Sequence, residues 1–313
     1  MRNTFSDYVY ELTKKNNKIK IIAADISPSG KLAELQKKHP EKIVNVGVAE
    51  TSMISLCAGL AMSGYLPFAY TIATFSIFRP FEMIRVDLCY QNLSVTIVGM
   101  GGGTVYSTLG ATHMTQEDIS VMRSLPNMKI LCPLDNLELK SCLNYIVSKP
   151  RGPVYLRIGK SGEKNFTQKT TDKWKFGKIR KIISGKKICL IGYGPLMKIF
   201  FEVLPKLRKM GINPSVYSCH TMKPFDINGL KNIFQKYKKI ITLEDHSEIG
   251  GLGFVVKKIA FDCKFKGEIS SFSLKDQYIK CYGSQDDLLE RHGISKKKNN
   301  QRNCILKNEK SKN

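Results

Sequence analysis

The chain has 313 residues, of which 42% are hydrophobic, and its 50 Lys and Arg against 26 Asp and Glu give a formal net charge of +24. This length is sufficient for one or two domains with a buried core. No apolar run is long enough to cross a bilayer, and the N-terminus turns polar too early for a signal peptide. We therefore predict a cytoplasmic protein with no membrane association.

The positive charge alone does not indicate a nucleic-acid-binding protein. Residues 296–313 hold seven Lys and Arg against one Glu, and we expect this basic tail to be disordered. The other lysines are single or in short clusters between apolar segments, as on a solvated surface. No zinc finger or RNA-binding aromatic motif accompanies them, so we expect no nucleic-acid partner. An anionic substrate or an acidic subunit fits the charge.

The nine cysteines are scattered and form no CxxC pair, and several lie inside apolar runs, such as Cys189 in KICLIGYG. Reduced core thiols fit this pattern better than disulfides, in agreement with a cytosolic location. The five histidines show no paired spacing, so we expect no zinc site.

In the first half of the chain, β-branched runs alternate with amphipathic stretches. The predicted strands are 19–25, 42–47, 66–70, 94–100, 128–133 and 153–159. The predicted helices are 3–16, 50–63, 79–91, 115–124 and 135–148. This alternation predicts an α/β fold with a mainly parallel sheet and helices on both faces.

A second series of strands and helices follows a polar, basic segment at 166–185, which we interpret as a linker with at most an edge strand. The predicted strands are 186–194, 213–219, 238–245 and 267–274, with helices at 195–210, 226–237 and 252–262. We divide the chain into a parallel-sheet domain at 1–165, the linker at 166–185, a smaller α/β domain at 186–295 and the tail at 296–313.

Several motifs are candidates for chemistry. The Gly-rich loops at 99–113 and 192–195 follow strands, but neither completes a dinucleotide-binding or Walker A motif. Glu50, in VGVAETSM, is either a first-turn carboxylate favoured by the helix dipole or a buried acid that contacts a ligand. Phe75, Phe78 and Phe81 recur every three residues, either as core aromatics or as a surface that stacks on a flat heteroaromatic ring.

The quoted motifs resemble a known family. GVAE, TFSIFRPF, GGGTVYSTLGATHMTQEDISVMRSLPNMKILCPLD and GPVYLRIGKSG resemble the pyrimidine-binding domain of transketolases. LIGYGPLMK, MKPFD and EDHSEIGGLG are similar to the transketolase C-terminal domain, so the resemblance covers about residues 1–294. It is shared more loosely with 1-deoxyxylulose-5-phosphate synthase and with the β subunits of 2-oxoacid dehydrogenases.

The resemblance implies a thiamine diphosphate cofactor. It implies that Glu50 hydrogen-bonds the pyrimidine N1′ and favours the imino tautomer that removes the thiazolium C2 proton, a role that requires a desolvated carboxylate. Phe75, Phe78 and Phe81 would then pack against the pyrimidine ring. His113 would contact substrate oxygens or assist proton transfer, although it could instead cap its own loop.

The resemblance also implies substrate contacts. Arg157 would grip the substrate phosphate as a bidentate donor, although it could instead form a salt bridge at the end of its strand. Asp25, Ser27 and Ser29, in ADISPSG, would line the substrate channel. The EDHSEIGGLG segment would be a mostly structural turn.

Two departures from the family pattern matter. Gly101 stands where transketolases have a second histidine, so the donor ketose stays open. No GDG motif occurs in the chain, and no length remains for the diphosphate-binding domain, so we expect no metal site here and Mg²⁺ on a partner.

The predicted protein is thus the C-terminal subunit of a split transketolase. It would form an α2β2 assembly around a homodimeric core with a GDG-bearing N-terminal subunit, and transfer a two-carbon ketol unit between sugar phosphates. The alternatives are a β subunit of a 2-oxoacid dehydrogenase, a deoxyxylulose-phosphate-synthase-like enzyme, or a non-catalytic scaffold.

Overall fold

The computed structural model of the chain describes residues 1–149, 151–280 and 282–294. The predicted basic tail at 296–313 lies outside the described residues. The strands are β1 (Ile19–Ala23), β2 (Ile43–Asn45), β3 (Leu66–Ile72), β4 (Thr96–Met100), β5 (Lys129–Leu131), β6 (Val154–Ile158), β7 (Arg180–Ile183), β8 (Ile188–Gly192), β9 (Ser215–Ser218), β10 (Thr221–Lys223), β11 (Lys239–Ser247) and β12 (Glu268–Leu274).

The helices alternate with these strands. They are α1 (Arg2–Lys15), α2 (Lys31–Lys38), α3 (Glu50–Met62), α4 (Ala73–Ile77), α5 (Phe81–Met83), α6 (Asp118–Ser124), α7 (Asn136–Ser148), α8 (Lys198–Lys209), α9 (Ile227–Lys236), α10 (Leu252–Asp262) and α11 (Gln285–Arg291). A π-helical segment, Ile84–Tyr90, directly follows α5.

The first sheet has seven strands in the order β10-β5-β6-β4-β3-β1-β2. All neighbouring strands are parallel except β10, which pairs antiparallel with β5. Successive residues of a strand point to opposite faces of the sheet. Ile21 therefore packs with α1, α2 and α7, whereas Ile22 packs with α3, α4 and α6. Because both faces are covered, the central strands β4 and β6 are buried along their whole length.

The second sheet has five strands in the order β12-β11-β8-β9-β7, and only β7, at its edge, is antiparallel to its neighbour. Cys189 and Ile191 of β8 belong to the same hydrophobic cluster as Ile22 of the first sheet. One continuous core therefore joins the two sheets and fixes the position of one domain against the other.

The structure confirms the predicted α/β class with two parallel-sheet domains. Each of the ten predicted strands lies within two residues of its observed bounds at both ends. The sequence analysis missed α2, α4, α11 and β10, and β7 lies inside the predicted linker. The short helices have too few turns to show a period, and β10 exists only through its pairing with β5.

No helix among the described residues has the length and apolar character of a membrane-spanning segment. Of the seven cysteines in the described ranges, six are buried, and all seven are free thiols.

Candidate functional site

Glu50 is the first residue of α3 and is only 4% exposed. The N-cap residue before it, Ala49, provides no side-chain cap for the helix. Oε1 of Glu50 accepts a hydrogen bond of 2.7 Å from Nη1 of Arg79, which forms an ion pair with it. Glu50 therefore starts a helix and is a buried acid, and its partner in this structure is Arg79. Its contact with a ligand stays a prediction.

Arg79 connects Glu50 to an aromatic pair. The guanidinium carbon lies 4.1 Å from the centre of the Phe75 ring. The Phe75 ring in turn meets the His113 imidazole edge-on, with centroids 5.1 Å apart and planes at 73°. Glu50, Arg79, Phe75 and His113 thus form one row of contacts, which we call the Glu50 row.

The other two predicted aromatics lie differently. Phe78 follows the last residue of α4 and is 40% exposed. Phe81 begins α5 and packs, half-buried, against the core. Of the three phenylalanines, Phe75 is the one for which the structure gives ring contacts with the Glu50 row.

His113 ends a loop that leaves the carboxyl end of β4. The loop turns at Gly110, where φ is +80°, and is closed at its base by paired hydrogen bonds between Gly103 and Thr115. The imidazole is half-buried, and its Nδ1 lies within hydrogen-bonding distance, 3.0 Å, of the hydroxyl oxygen of Thr112. This anchoring fixes His113 beside Phe75.

The missing family histidine has a structural explanation at Gly101. This residue has φ +70°, and a Cβ placed on it would overlap the ring of Tyr106. Tyr106 is 5% exposed, and burial raises its pKa to about 12. Its ring centre lies 6.5 Å from that of His113 and 4.9 Å from Nζ of Lys160. Tyr106, which the sequence analysis did not single out, therefore extends the Glu50 row.

The predicted channel loop contacts Arg2, which in turn contacts the backbone of Lys160. Arg2 donates from Nη2 to the carbonyl of Ser27 at 3.1 Å, and its amide donates to the carbonyl of Lys160 at 3.1 Å. Among the described residues, Nε of Arg2 and Oγ of Ser29 are buried without a hydrogen-bond partner. Asp25 is exposed with φ +46°. Arg2 and the exposed Lys160 were missed because single basic residues are common in this Lys-rich chain.

Arg157 is buried and paired within the protein. It is 4% exposed, its Nε donates to Asp118 at 2.6 Å, and its Nη2 donates to the carbonyl of Asp245 at 2.8 Å. Burial alone would lower the pKa of Arg157, but Asp118 and the neighbouring Tyr193, Asp245 and Tyr155 together outweigh it, and the pKa is raised well above its ordinary value. The alternative interpretation, a salt-bridged arginine at a strand end, describes this geometry. The phosphate grip by Arg157 stays a prediction.

The EDHSEIGGLG segment makes structural contacts. Glu244 accepts hydrogen bonds of 2.6 and 2.8 Å from the amides of Leu252 and Gly253 at the start of α10. Asp245 accepts from the amide and hydroxyl of Thr104 in the first domain. His246 accepts at Nε2 from the amide of Ser120, also in the first domain. The segment therefore caps a helix and ties the domains together.

A cavity of about 410 Å³ lies between the domains at the carboxyl ends of β6 and β8. Arg157, Lys160, Tyr193 and Asp245 are among the residues that line it, but no residue from Glu50 to Arg79 does so. The Glu50 row thus lies outside this cavity. Within the described residues, no group of three or more His, Cys, Asp or Glu is arranged to hold a metal ion.

Comparison with protein families gives two matches. The family model described as the transketolase pyrimidine-binding domain matches residues 1–162, and that of the transketolase C-terminal domain matches residues 177–298. Together they cover both sheets of the structure.

Comparison with individual proteins gives relatives of similar length and longer ones. The chain is 29% identical over 295 residues to an apulose-4-phosphate transketolase subunit of Phocaeicola vulgatus, covering 94% of this chain and 93% of that protein. It is 30% identical to the 1-deoxy-D-xylulose-5-phosphate synthase of Natranaerobius thermophilus, of which it covers 46%. A split-gene transketolase solved as an inactive β4 tetramer superposes with a TM-score of 0.84 at 30% identity, covering 94% of this chain and 93% of that one.

Proposed function

Because the chain belongs to the transketolase family, we propose that it is the C-terminal subunit of a split, thiamine-diphosphate-dependent transketolase. In this proposal it transfers a two-carbon ketol unit between sugar phosphates, together with a separate subunit that holds the diphosphate and Mg²⁺. The observation that carries the proposal is the buried Glu50 carboxylate beside the Phe75 ring and the His113 imidazole.

These residues fit the pyrimidine half of the cofactor. A buried carboxylate can hold a proton at a ring nitrogen without competition from water. An aromatic face next to it can pack against a flat heterocycle. When bound, thiamine diphosphate supplies the nucleophilic carbon and the electron sink of ketol transfer. This chain's contribution would be the proton held by Glu50, the ring packing of Phe75 with Phe78 and Phe81 nearby, and a proton moved at substrate oxygens by His113.

The proposed contact with the substrate phosphate depends on the basic residues near the channel loop. Arg2 donates to the carbonyl of Ser27 and its amide donates to the carbonyl of Lys160, and a guanidinium whose Nε has no partner among the described residues suits the oxygens of a phosphate group. We assign the phosphate contact to these two cations in place of Arg157. Asp25, on the same loop, would meet the sugar hydroxyls.

The need for a partner is supported by the surface around Glu50. Val48, two residues before Glu50, is 66% exposed, and Leu56 and Met62 of α3 are 42% and 68% exposed. These exposed apolar side chains, before and along α3, are available for burial against a second chain. The split-gene relative forms an inactive β4 tetramer, and we propose that an α2β2 assembly around a core of two copies of this chain is the active form here.

The test is reconstitution with a diphosphate-binding transketolase subunit, thiamine diphosphate, Mg²⁺, a ketose phosphate and an aldose acceptor. We expect a chain-shortened aldose phosphate from the complex and none from either chain alone. Glu50→Ala should abolish the product, whereas Glu82→Ala, which removes a nearby exposed carboxylate, should not. Full activity of Glu50→Ala would refute the assignment.

A second candidate is a thiamine-dependent reaction of a 2-oxoacid, favoured by the 30% identity to deoxyxylulose-phosphate synthase. Pyruvate with an aldose phosphate acceptor tests it in the same complex, because this reaction releases CO₂ and ketol transfer does not. A 2-oxoacid dehydrogenase would release CO₂ only with acyl transfer to a carrier. A complex that fails to bind thiamine diphosphate would favour a non-catalytic scaffold.

A further inference from the structure

The Arg79 side chain contacts both groups that we assign to binding the cofactor's pyrimidine ring, which are the Glu50 carboxylate and the Phe75 ring. Its Nη1 donates to Glu50 at 2.7 Å, and its guanidinium lies 4.1 Å from the centre of the Phe75 ring. Glu50 is 4% exposed and the Arg79 side chain 45% exposed, so the cation covers the acid from the solvent side. Both contacts are attractive, because a buried carboxylate requires a partner and a cation is drawn to an aromatic face.

Hydrogen bonds hold the backbone on both sides of Arg79, whereas its half-exposed side chain is held by the ion pair with Glu50 and the contact with Phe75. The amide of Phe78 donates to the carbonyl of Thr74, and the amide of Ile84 donates to that of Pro80, so Arg79 lies between two anchored turns. Pro80 is buried. The half-exposed arginine side chain can therefore swing into solvent without unfolding the segment around it.

A planar aminopyrimidine that hydrogen-bonds Glu50 and packs on Phe75 needs the volume that this guanidinium fills. The two occupants compete for the same acceptor and the same ring face. The ion pair also has a use in the free chain, because it neutralises a carboxylate that would otherwise be buried alone.

We propose that Arg79 is a latch on the pyrimidine site, which closes over Glu50 and Phe75 in the free chain and must swing out before the ring binds. The inference rests on the proposed function and deepens it by naming the side chain that opposes cofactor entry. Arg79 therefore lowers the affinity of the free chain for the pyrimidine ring. It also neutralises the buried Glu50 carboxylate while the subunit is unassembled.

The test uses the full chain without a partner and the pyrimidine half of thiamine, 4-amino-5-hydroxymethyl-2-methylpyrimidine, as the probe in ligand-observed NMR titrations. Arg79→Met keeps the length and apolar stem of the side chain but removes its charge. We expect it to bind the probe about fivefold more tightly than the wild type, the equivalent of ~1 kcal/mol for a partly exposed ion pair.

The matched control is Arg85→Met, because Arg85 is an exposed arginine that pairs only with Glu82 among the described residues. We expect its affinity to equal that of the wild type. In a Glu50→Gln background, Arg79→Met should change the affinity less than twofold, because the ion pair is already lost. Circular dichroism melts confirm that each variant is folded.

Equal or weaker binding by Arg79→Met would overturn the latch, and so would a failure of both wild type and Arg79→Met to bind, because the variant exposes Glu50 and Phe75. The proposed function fails by a different result, which is the absence of thiamine diphosphate binding by the complex with the diphosphate-binding subunit. If that complex binds the cofactor and Arg79→Met does not tighten the binding, only the latch is wrong.

Discussion

The pair of Arg157 and Asp118 should be a main determinant of the stability of the chain. The two charges meet at 2.6 Å, with Arg157 4% exposed and Asp118 fully buried. Arg157 also donates to the carbonyl of Asp245 in the second domain, so that the pair lies where the domains touch. We therefore choose Arg157→Met, which keeps an apolar side chain of similar length, as the perturbation.

The magnitude follows from the burial of the partner left behind. Oδ2 of Asp118 would keep the hydrogen bond of 2.8 Å from the hydroxyl of Tyr155, while Oδ1 already has no partner among the described residues. Removing one member of a buried pair leaves an uncompensated charge and costs about 3–5 kcal/mol. Most domains have a free energy of unfolding of roughly 5–15 kcal/mol, so this loss would be a large fraction.

The assay is urea unfolding followed at two signals. Trp174, the chain's single tryptophan, stacks on His220 of the second domain at 4.8 Å and lies 6.1 Å from the ring of Tyr145 of the first. Its fluorescence reports on the domain boundary, while far-UV circular dichroism reports on both sheets. Coincident transitions would show that the domains unfold together.

Three further variants decide the interpretation, which are Asp118→Asn, its combination with Arg157→Met, and Lys258→Met. Arg157→Met with Asp118→Asn removes both charges, and its loss should be at least about 1 kcal/mol smaller than the sum of the single losses. Lys258→Met breaks an exposed pair with Asp262 and should change the free energy of unfolding by less than about 0.5 kcal/mol. A loss below about 1 kcal/mol for Arg157→Met, or strict additivity, would refute the reasoning.

Two other predictions concern pH and substrate. Burial raises the pKa of Glu244 to about 7 from an ordinary 4.5, so the folded chain holds a proton that the unfolded chain loses as pH rises through this window. Glu244 should therefore lower stability from pH 5 to pH 7, whereas the lowered pKa values of His220, His246 and His292 act in the opposite direction. Over this range the wild type should lose more stability than Glu244→Gln in urea unfolding at each pH, and equal slopes would contradict the prediction. In the reconstituted enzyme, Arg2→Met and Lys160→Met should each raise KM for the ketose phosphate about tenfold with little change in kcat, and an unchanged KM would remove them from the phosphate site.

The strand positions could be predicted because their signal is local. The runs IKIIA of β1 and VYLRI of β6 are apolar along most of their length, since both faces of each strand are covered. The start of α3 at Glu50 also follows from local helix rules. Its burial does not, because that depends on where the segment around Arg79 folds back.

Long-range contacts account for the rest. Arg157 pairs with Asp118, which lies on α6, and with the carbonyl of Asp245 in the other domain. The residue spacing within its own strand does not indicate either contact. Tyr106 stands inside a quoted motif, yet its position in the space beside Gly101 depends on the fold of a loop with positive φ values. The sequence therefore indicated Glu50, Phe75 and His113 of the Glu50 row. It indicated neither Arg79 nor which members of the row contact each other.

Strand β10 has a consequence for biosynthesis. It comes from the second half of the chain but closes the open side of β5, where Thr221 aligns with Leu131 and the amide of Cys132 donates to the carbonyl of His220 at 2.8 Å. During translation, the edge of β5 stays unpaired until about 90 further residues have been synthesised and β10 can pair with it. A nascent chain paused within that interval would present an unpaired, largely apolar edge, the kind on which neighbouring chains pair and aggregate.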